Sequence, residues 1–90
     1  RDFLLANRIP VGSDYTRGGE ITSSVAAHFA AAPPDEYLVN STDLHNYNTR
    51  STGIGGPSVR DGKLYAPDVP GLGVEPDFEA LGDPVLEMRA

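Results

Sequence analysis

The sequence predicts an α/β fold, in which a parallel βαβ unit is followed by a segment of loops, turns and short strands. The first observation is a helical spacing of apolar residues between two short apolar runs, each of which continues into polar residues. The second is that the chain beyond residue 48 holds seven of the 10 glycines and five of the 8 prolines, residues that mark turns. We therefore divide the chain into residues 1–48 and 49–90.

The first half reads as the end of a helix, a strand, a second helix and a second strand. Apolar residues 3–5 are typical of a last helical turn. Residues 9–11 predict a short buried strand that starts near a proline, and residues 37–39 open a second strand. The two strands run on into polar residues, at positions 13–16 and 40–43.

The helix between the strands has the clearest periodicity. Ile21, Val25, Phe29 and Ala32 recur at spacings of four, four and three residues, which places them on one face of a helix. Glu20 lies in the first turn, where a negative charge complements the helix dipole. Because this helix connects the strands, we expect them to pair in parallel through a right-handed crossover.

Turn signals dominate the second half. The pair Asp61-Gly62 is favoured in type I′ turns, so residues 58–66 predict a β-hairpin. The run "PGLGV" at residues 70–74 predicts an irregular turn, and Asp77 predicts the cap of a short helical turn.

Composition limits the classes of partner. The chain has 13 acidic and 7 basic residues, a formal net charge of -6, which disfavours nucleic acids and anionic membranes. It has no cysteine, so disulfides and thiolate metal sites are excluded. Its first residue is arginine and its first turn reads as the end of a helix. We therefore interpret the sequence as the C-terminal part of a longer protein.

The carboxyl ends of the two predicted strands hold the candidate site, because active sites of parallel α/β folds gather at this end. Neighbouring strands lie about 4.8 Å apart, so both polar clusters could line one pocket. Asp14 and Asp43 could each bind a cationic group, act in proton transfer or cap a nearby turn. The candidate substrate-binding residues are Asp14, Tyr15, Arg17, Asp43 and His45.

The run "YTRGGEI", residues 15–21, follows the first strand. Arg17 could hold a carboxylate in a bidentate fork or lie in solvent. Gly18 and Gly19 could present backbone N–H groups to an anion. Phosphate-loop spacings are absent, however, and close backbone packing at the helix start is favoured. We interpret His28 as a packed or capping residue, and two histidines without clustered carboxylates predict no metal site.

Two stretches resemble a known family. The run "IPVGSDYTRGGEITSSVAAHFAAAPPDEYLVNSTDLHNY" contains a Gly-Gly-Glu-Ile opening and an Ala-rich helix, and the run "RDGKLYAPDVPGLGVEPD" follows it. Together they resemble the C-terminal end of the mandelate racemase/muconate lactonizing branch of the enolase superfamily. Within that branch the chain is most similar to hydroxyproline-betaine epimerases and cis-3-hydroxyproline dehydratases.

The resemblance implies a modified (β/α) TIM barrel with a capping domain. Residues 10–16 would form its seventh strand, residues 20–32 the next helix and residues 37–43 the eighth strand. The hairpin at 58–66 would lie in a segment, residues 49–90, that returns toward the capping domain. The resemblance also implies a cytoplasmic homo-oligomer whose segments pack on the rest of their own barrel.

The resemblance implies chemistry as well: abstraction of the proton α to a carboxylate, with Mg²⁺ stabilising the enediolate. The lysine acid/base pair and the acidic Mg²⁺ ligands would lie upstream of Arg1, since the only lysine, Lys63, is in the hairpin. This segment would contact a small carboxylate or amino-acid substrate. We expect epimerisation, racemisation or dehydration of a proline- or hydroxyproline-like amino acid.

Two departures from the family argue against a betaine substrate and against the mechanism of mandelate racemase. Related epimerases carry Trp where this chain has Arg17, and an aromatic face suits a quaternary ammonium better than a guanidinium does. The chain also lacks the histidine that mandelate racemase places after its seventh strand. Two other classes stay open, a non-catalytic acidic α/β interaction module and a different small-molecule enzyme on a doubly wound sheet.

Overall fold

A computed structural model describes residues 1–14, 18–41 and 47–88, which form short elements around one long helix. The helices are α1 (Asp2–Ala6), α2 (Glu20–Ala31), a 3₁₀ helix (Asp35–Tyr37) and α3 (Phe78–Leu81). The strands are β1 (Val11–Gly12), β2 (Leu38–Asn40), β3 (Gly53–Gly55), β4 (Ser58–Arg60), β5 (Lys63–Tyr65) and β6 (Val74–Pro76). None of the described helices has the length and apolar character that a bilayer crossing needs.

The strands β1 and β2 pair in parallel, as the βαβ pattern predicts. Val11 lies opposite Leu38, and Gly12 lies opposite Asn40. The backbone N–H of Ser13 continues the pairing by donating to the carbonyl oxygen of Asn40 at 3.1 Å. The carboxyl ends of the two strands are therefore joined beyond the last residue of β1.

The prediction of a buried strand at residues 9–11 is wrong for its first two residues. β1 begins at Val11, which is 2% exposed, whereas Ile9 is 44% exposed. The backbone N–H of Ile9 donates to the carbonyl oxygen of Leu4 at 2.9 Å. Ile9 is thus held at the end of α1, and the chain becomes extended only after Pro10.

Helix α2 buries small side chains and exposes its apolar stripe. Ile21, Val25 and Phe29 are 44%, 51% and 37% exposed. The buried residues of α2 are Ser23, Ser24, Ala26 and Ala27. Small side chains on this face allow the β3–β6 pair to lie close to the helix. The periodicity therefore predicted the helix correctly, but its apolar stripe is not the face that the described residues cover.

A hydrogen bond from Ser24 joins α2 to the "PGLGV" turn. Ser24 is 0% exposed, and its hydroxyl donates to the carbonyl oxygen of Leu72. Gly71 and Gly73 flank Leu72 with φ of 75° and 65°, in the left-handed region that favours glycine. The glycines thus give the turn the shape that presents this carbonyl to the helix.

Two predicted features of the second half are confirmed. Strands β4 and β5 form an antiparallel hairpin, and Asp61 and Gly62 at its tip have φ of 51° and 73°, as a type I′ turn requires. The carboxylate of Asp77 caps α3 by accepting the backbone N–H groups of Glu79 and Ala80, at 3.0 and 3.1 Å.

A second antiparallel pair was not predicted. β3 and β6 lie side by side, with Ile54 opposite Glu75 and Gly55 opposite Val74. The sequence of β3 is Gly-Ile-Gly, and glycine weakens any strand signal because it has no side chain to pack. Its pairing is therefore a property of the tertiary structure, since the partners Gly55 and Val74 are 19 positions apart in the chain.

We expect Ser24→Ala to destabilise the full-length polypeptide by about 1 kcal/mol, since the Leu72 carbonyl loses its donor. The midpoint of urea unfolding measures this loss. Ser58→Ala is the matched control, because Ser58 is an exposed strand residue and its truncation should change stability by less than about 0.5 kcal/mol. Equal midpoints for both variants would contradict the structural role of Ser24.

Candidate functional site

The polar ends of β1 and β2 lie next to each other. The bond between Ser13 and Asn40 carries the pairing past β1, and Asp14 and Ser41 follow these residues directly. Both Asp14 and Ser41 are exposed. The expectation that the two strands present their polar residues at one edge is confirmed for these four residues.

Four of the five candidate substrate-binding residues lie outside the described residues, namely Tyr15, Arg17, Asp43 and His45. Their contact with substrate stays a prediction. Asp14 is described, and it borders a cleft of about 300 Å³ between the end of β1 and α2. The apolar stripe residues Val25 and Phe29 also line this cleft. The Asp14 carboxylate thus lies where a polar strand end meets an apolar helix face.

Asn40 is a polar residue of the strand end that the list of candidates omitted. It is the register partner of Gly12, and a Cβ atom at position 12 would run into the Asn40 side-chain oxygen. Glycine at position 12 therefore lets the Asn40 amide lie across β1. The signal in the sequence was only that Asn40 follows two apolar residues in the second strand.

Glu20 joins the start of α2 to the segment that follows β2. Its Oε2 atom accepts the backbone N–H of Thr52 at 2.9 Å and the Thr52 hydroxyl at 3.1 Å. Its Cβ atom would lie 2.9 Å from a Cβ placed on Gly53 and 3.4 Å from one placed on Gly56. The two glycines therefore leave the space that the Glu20 stem occupies.

Gly18 and Gly19 provide close packing at the same place. Gly19 is the N-cap of α2, with an extended backbone, and a side chain there would meet the Thr52 hydroxyl. A side chain on Gly18 would meet Thr22, and the Gly18 carbonyl accepts a hydrogen bond from the side-chain amide of Asn48. The prediction of close backbone packing at the helix start is confirmed.

Sequence reasoning assigned Glu20 only to the helix dipole. Its partner Thr52 lies 32 residues away, and Asn48 lies 30 residues from Gly18. A spacing pattern among neighbouring residues cannot predict a contact between positions so far apart. The available signal was the run of hydroxyl residues before Gly53, which by itself indicates only a turn.

These contacts lower the pKa of Glu20. Burial acts in the opposite direction and alone would raise it, but hydrogen bonds outweigh burial. The donors are the backbone N–H groups of Thr52 and of Glu20 itself, together with the hydroxyls of Ser51 and Thr52. The carboxylate is therefore ionised at neutral pH and is held as an acceptor.

Other polar groups lie near Glu20. Arg50 and Ser23 border a second cavity of about 200 Å³ beside Glu20. The Ser23 hydroxyl oxygen and the His28 Nε2 atom are buried without a hydrogen-bond partner among the described residues. His28 is half-buried, which agrees with its interpretation as a packed residue.

Within residues 1–14, 18–41 and 47–88, no three or more His, Asp or Glu side chains are grouped as metal ligands.

This chain is similar to known proteins in sequence and, for one of them, in structure. Residues 2–81 match the family described as enolase C-terminal domain-like. The chain is 38% identical over 85 residues to a cis-3-hydroxy-L-proline dehydratase from Roseibium aggregatum. It is also 64% identical, with a TM-score of 0.82, to a crystal structure of a mandelate racemase/muconate lactonizing enzyme from Roseovarius nubinhibens ISM. Both matches cover 94% of this chain and 23% of the relative, so the chain spans about a quarter of the relatives' length.

We expect Glu20→Gln to be most destabilising near neutral pH and least destabilising in acid. Folding lowers the pKa of Glu20 below its ordinary value of 4.5, so the carboxylate stabilises the fold fully above that value. This contribution disappears as the pH falls through the lower, folded-state pKa. Urea midpoints of wild type and variant should therefore differ at about pH 7 and converge as the pH falls below 4.5.

The control for this comparison is Glu36→Gln, which changes an exposed carboxylate in the 3₁₀ helix. Its midpoint should follow the wild type across the same range. A gap between Glu20→Gln and wild type that stays constant with pH would contradict a role for the Glu20 charge.

Proposed function

Since the chain belongs to the enolase C-terminal domain-like family, we propose that it provides the last two strands of a (β/α) barrel enzyme. The parallel β1–α2–β2 unit supports this placement. The exposed stripe of Ile21, Val25 and Phe29 supports it too, because the neighbouring elements of a barrel would cover these side chains. The enzyme would remove the proton α to a carboxylate with the help of Mg²⁺.

The substrate that we propose is a proline- or hydroxyproline-like amino acid. The similarity to a cis-3-hydroxy-L-proline dehydratase supports this class. Removal of the Cα proton would be the common first step. In epimerisation or racemisation, a proton returns to Cα on the opposite face. In dehydration, the C3–O bond breaks, a C2–C3 double bond forms and the hydroxyl leaves as water.

The observation that carries the proposal is the junction of two polar strand ends at the carboxyl edge of a parallel pair. The bond between Ser13 and Asn40 holds this junction, and the Asp14 carboxylate follows it in an exposed position. An exposed carboxylate there would attract the cationic ring nitrogen of a proline-like substrate. Arg17 would suit the substrate carboxylate through a bidentate pair. The further contacts that we propose are Tyr15, Asp43 and His45.

The described residues do not fit a Mg²⁺ site, because their carboxylates are not grouped. The metal ligands and the lysine acid/base pair would lie elsewhere in the full-length polypeptide. When bound, Mg²⁺ would stabilise the negative charge that develops on the substrate carboxylate. The part that we assign to these 90 residues is to bind and orient the substrate, which contributes to rate by holding a reactive geometry.

We expect the full-length polypeptide to exchange the Cα proton of a proline-type amino acid with solvent. The assay incubates it with Mg²⁺ in D₂O and either L-proline, trans-4-hydroxy-L-proline or cis-3-hydroxy-L-proline, followed by NMR. Deuterium at an inverted Cα would identify an epimerase or racemase, whereas loss of the C3 hydroxyl of cis-3-hydroxy-L-proline would identify a dehydratase. No exchange and no turnover with any of them would refute the proposal and favour the non-catalytic module.

We expect Asp43→Asn, and likewise Asp14→Asn, to lower kcat/KM by about tenfold or more, equivalent to about 1.4 kcal/mol of transition-state stabilisation. Each change removes a charge without changing the size of the side chain. Asp35→Asn is the matched control, because Asp35 precedes β2 and so lies at the opposite end of that strand. A folded Asp43→Asn enzyme with wild-type kinetics would exclude Asp43 from the site.

A further inference from the structure

We propose that Glu20 and Thr52 are positioning residues for the substrate pocket, an inference that rests on the function proposed above. Neither residue lies at the carboxyl edge of β1 and β2. Each instead lies where a polar connection ends: Glu20 after the connection that leaves β1, and Thr52 after the one that leaves β2. We call the contacts of Gly18, Gly19 and Glu20 with Asn48 and Thr52 the clamp.

The clamp consists of three hydrogen bonds and close packing. The backbone N–H and the hydroxyl of Thr52 both donate to Glu20, and the side-chain amide of Asn48 donates to the Gly18 carbonyl. Gly19 lies against the Thr52 side chain, where only hydrogen fits at Cα. The two segments thus touch through both backbone and side chains.

The clamp has a counterpart at the other end of the two connections. The backbone N–H of Ser13 donates to the Asn40 carbonyl at 3.1 Å, which ties the starts of both connections together. The connections from Asp14 to Gly18 and from Ser41 to Asn48 are therefore tied to each other at their starts and at their ends. Fixing the two ends of a chain segment limits the conformations open to the residues between them.

Glu20 suits this task because its carboxylate is ionised. Hydrogen bonds to an ionised acceptor are stronger than those between neutral groups, and the lowered pKa of Glu20 has this cause. The stem of Glu20 fills the space left by Gly53 and Gly56, which limits its rotamers. The carboxylate thus holds Thr52 against the first turn of α2.

A positioning role differs from a purely structural one in its kinetic signature. Substrate contacts displaced by a loosened clamp would weaken binding, which raises KM with kcat little changed. Loss of folded enzyme would instead lower the apparent kcat and leave KM unaltered.

The experiment uses the full-length polypeptide with Mg²⁺ and cis-3-hydroxy-L-proline as the probe substrate. Thr52→Val keeps the size and the backbone donor but removes the hydroxyl, and it should raise KM by about tenfold with kcat within about twofold. Thr52→Ser restores the hydroxyl and should return KM toward wild type. Combining Thr52→Val with Glu20→Gln should have less than an additive effect, since one removes and the other weakens the same hydrogen bond.

The control is Thr49→Val, the same substitution on an exposed residue close by in the chain that makes none of the clamp hydrogen bonds. It should leave KM unchanged. An unchanged KM for Thr52→Val, or equal effects of the Thr52 and Thr49 substitutions, would overturn the proposal.

A second measurement is independent of activity. Hydrogen exchange of the Ser13 amide in the full-length polypeptide should be faster in Thr52→Val than in wild type and Thr49→Val, because Ser13 reports the bond at the other end of the connections. Wild type without turnover would refute the proposed function while leaving this test in force. Faster Ser13 exchange would then support the clamp, and unchanged exchange would overturn it.

Discussion

The arrangement of the two halves depends on the hydrogen bonds between the Glu20 carboxylate and Thr52. It lies at the start of α2, in the βαβ unit, and accepts both donors of Thr52, in the glycine-rich second half. An acidic residue is stable there for two reasons. The first turn of a helix favours negative charge, and the Thr52 donors replace the water that the carboxylate loses. The Glu20 side chain therefore both complements the dipole of its own helix and binds a residue 32 positions away.

Close approach of the second half to α2 imposes a second constraint. The helix meets the β3–β6 pair through serine and alanine, and the Ser24 hydroxyl supplies a donor to Leu72. Larger side chains on this face would hold the sheet away and leave Glu20 and Thr52 too far apart to bond. The same close approach requires small residues on both sides. They are the serines and alanines of α2, the glycines of β3 and the glycines beside Leu72. The apolar stripe of α2 remains available for other contacts.

Much of the local structure could be predicted because its causes are local. The helical spacing of Ile21, Val25 and Phe29 predicted α2, and Asp61-Gly62 predicted the hairpin through backbone conformations that few residues adopt. Asp77 was predicted as a cap because its side chain reaches donors only two and three residues away. The adjacent polar ends of β1 and β2 followed from the general rule for parallel pairs.

By itself, the sequence determined the parallel β1–α2–β2 unit, the hairpin, the cap of α3 and the family resemblance, because each follows from a short-range pattern or motif. Only the tertiary structure decided which face of α2 is buried, the pairing of β3 with β6, and the bonds of Glu20 to Thr52 and of Ser24 to Leu72. The physical reason is the same in each case. The pairing and the two hydrogen bonds join residues 19 or more positions apart, and the buried face of α2 is one of several faces that local propensity does not distinguish. Only packing selects among such alternatives.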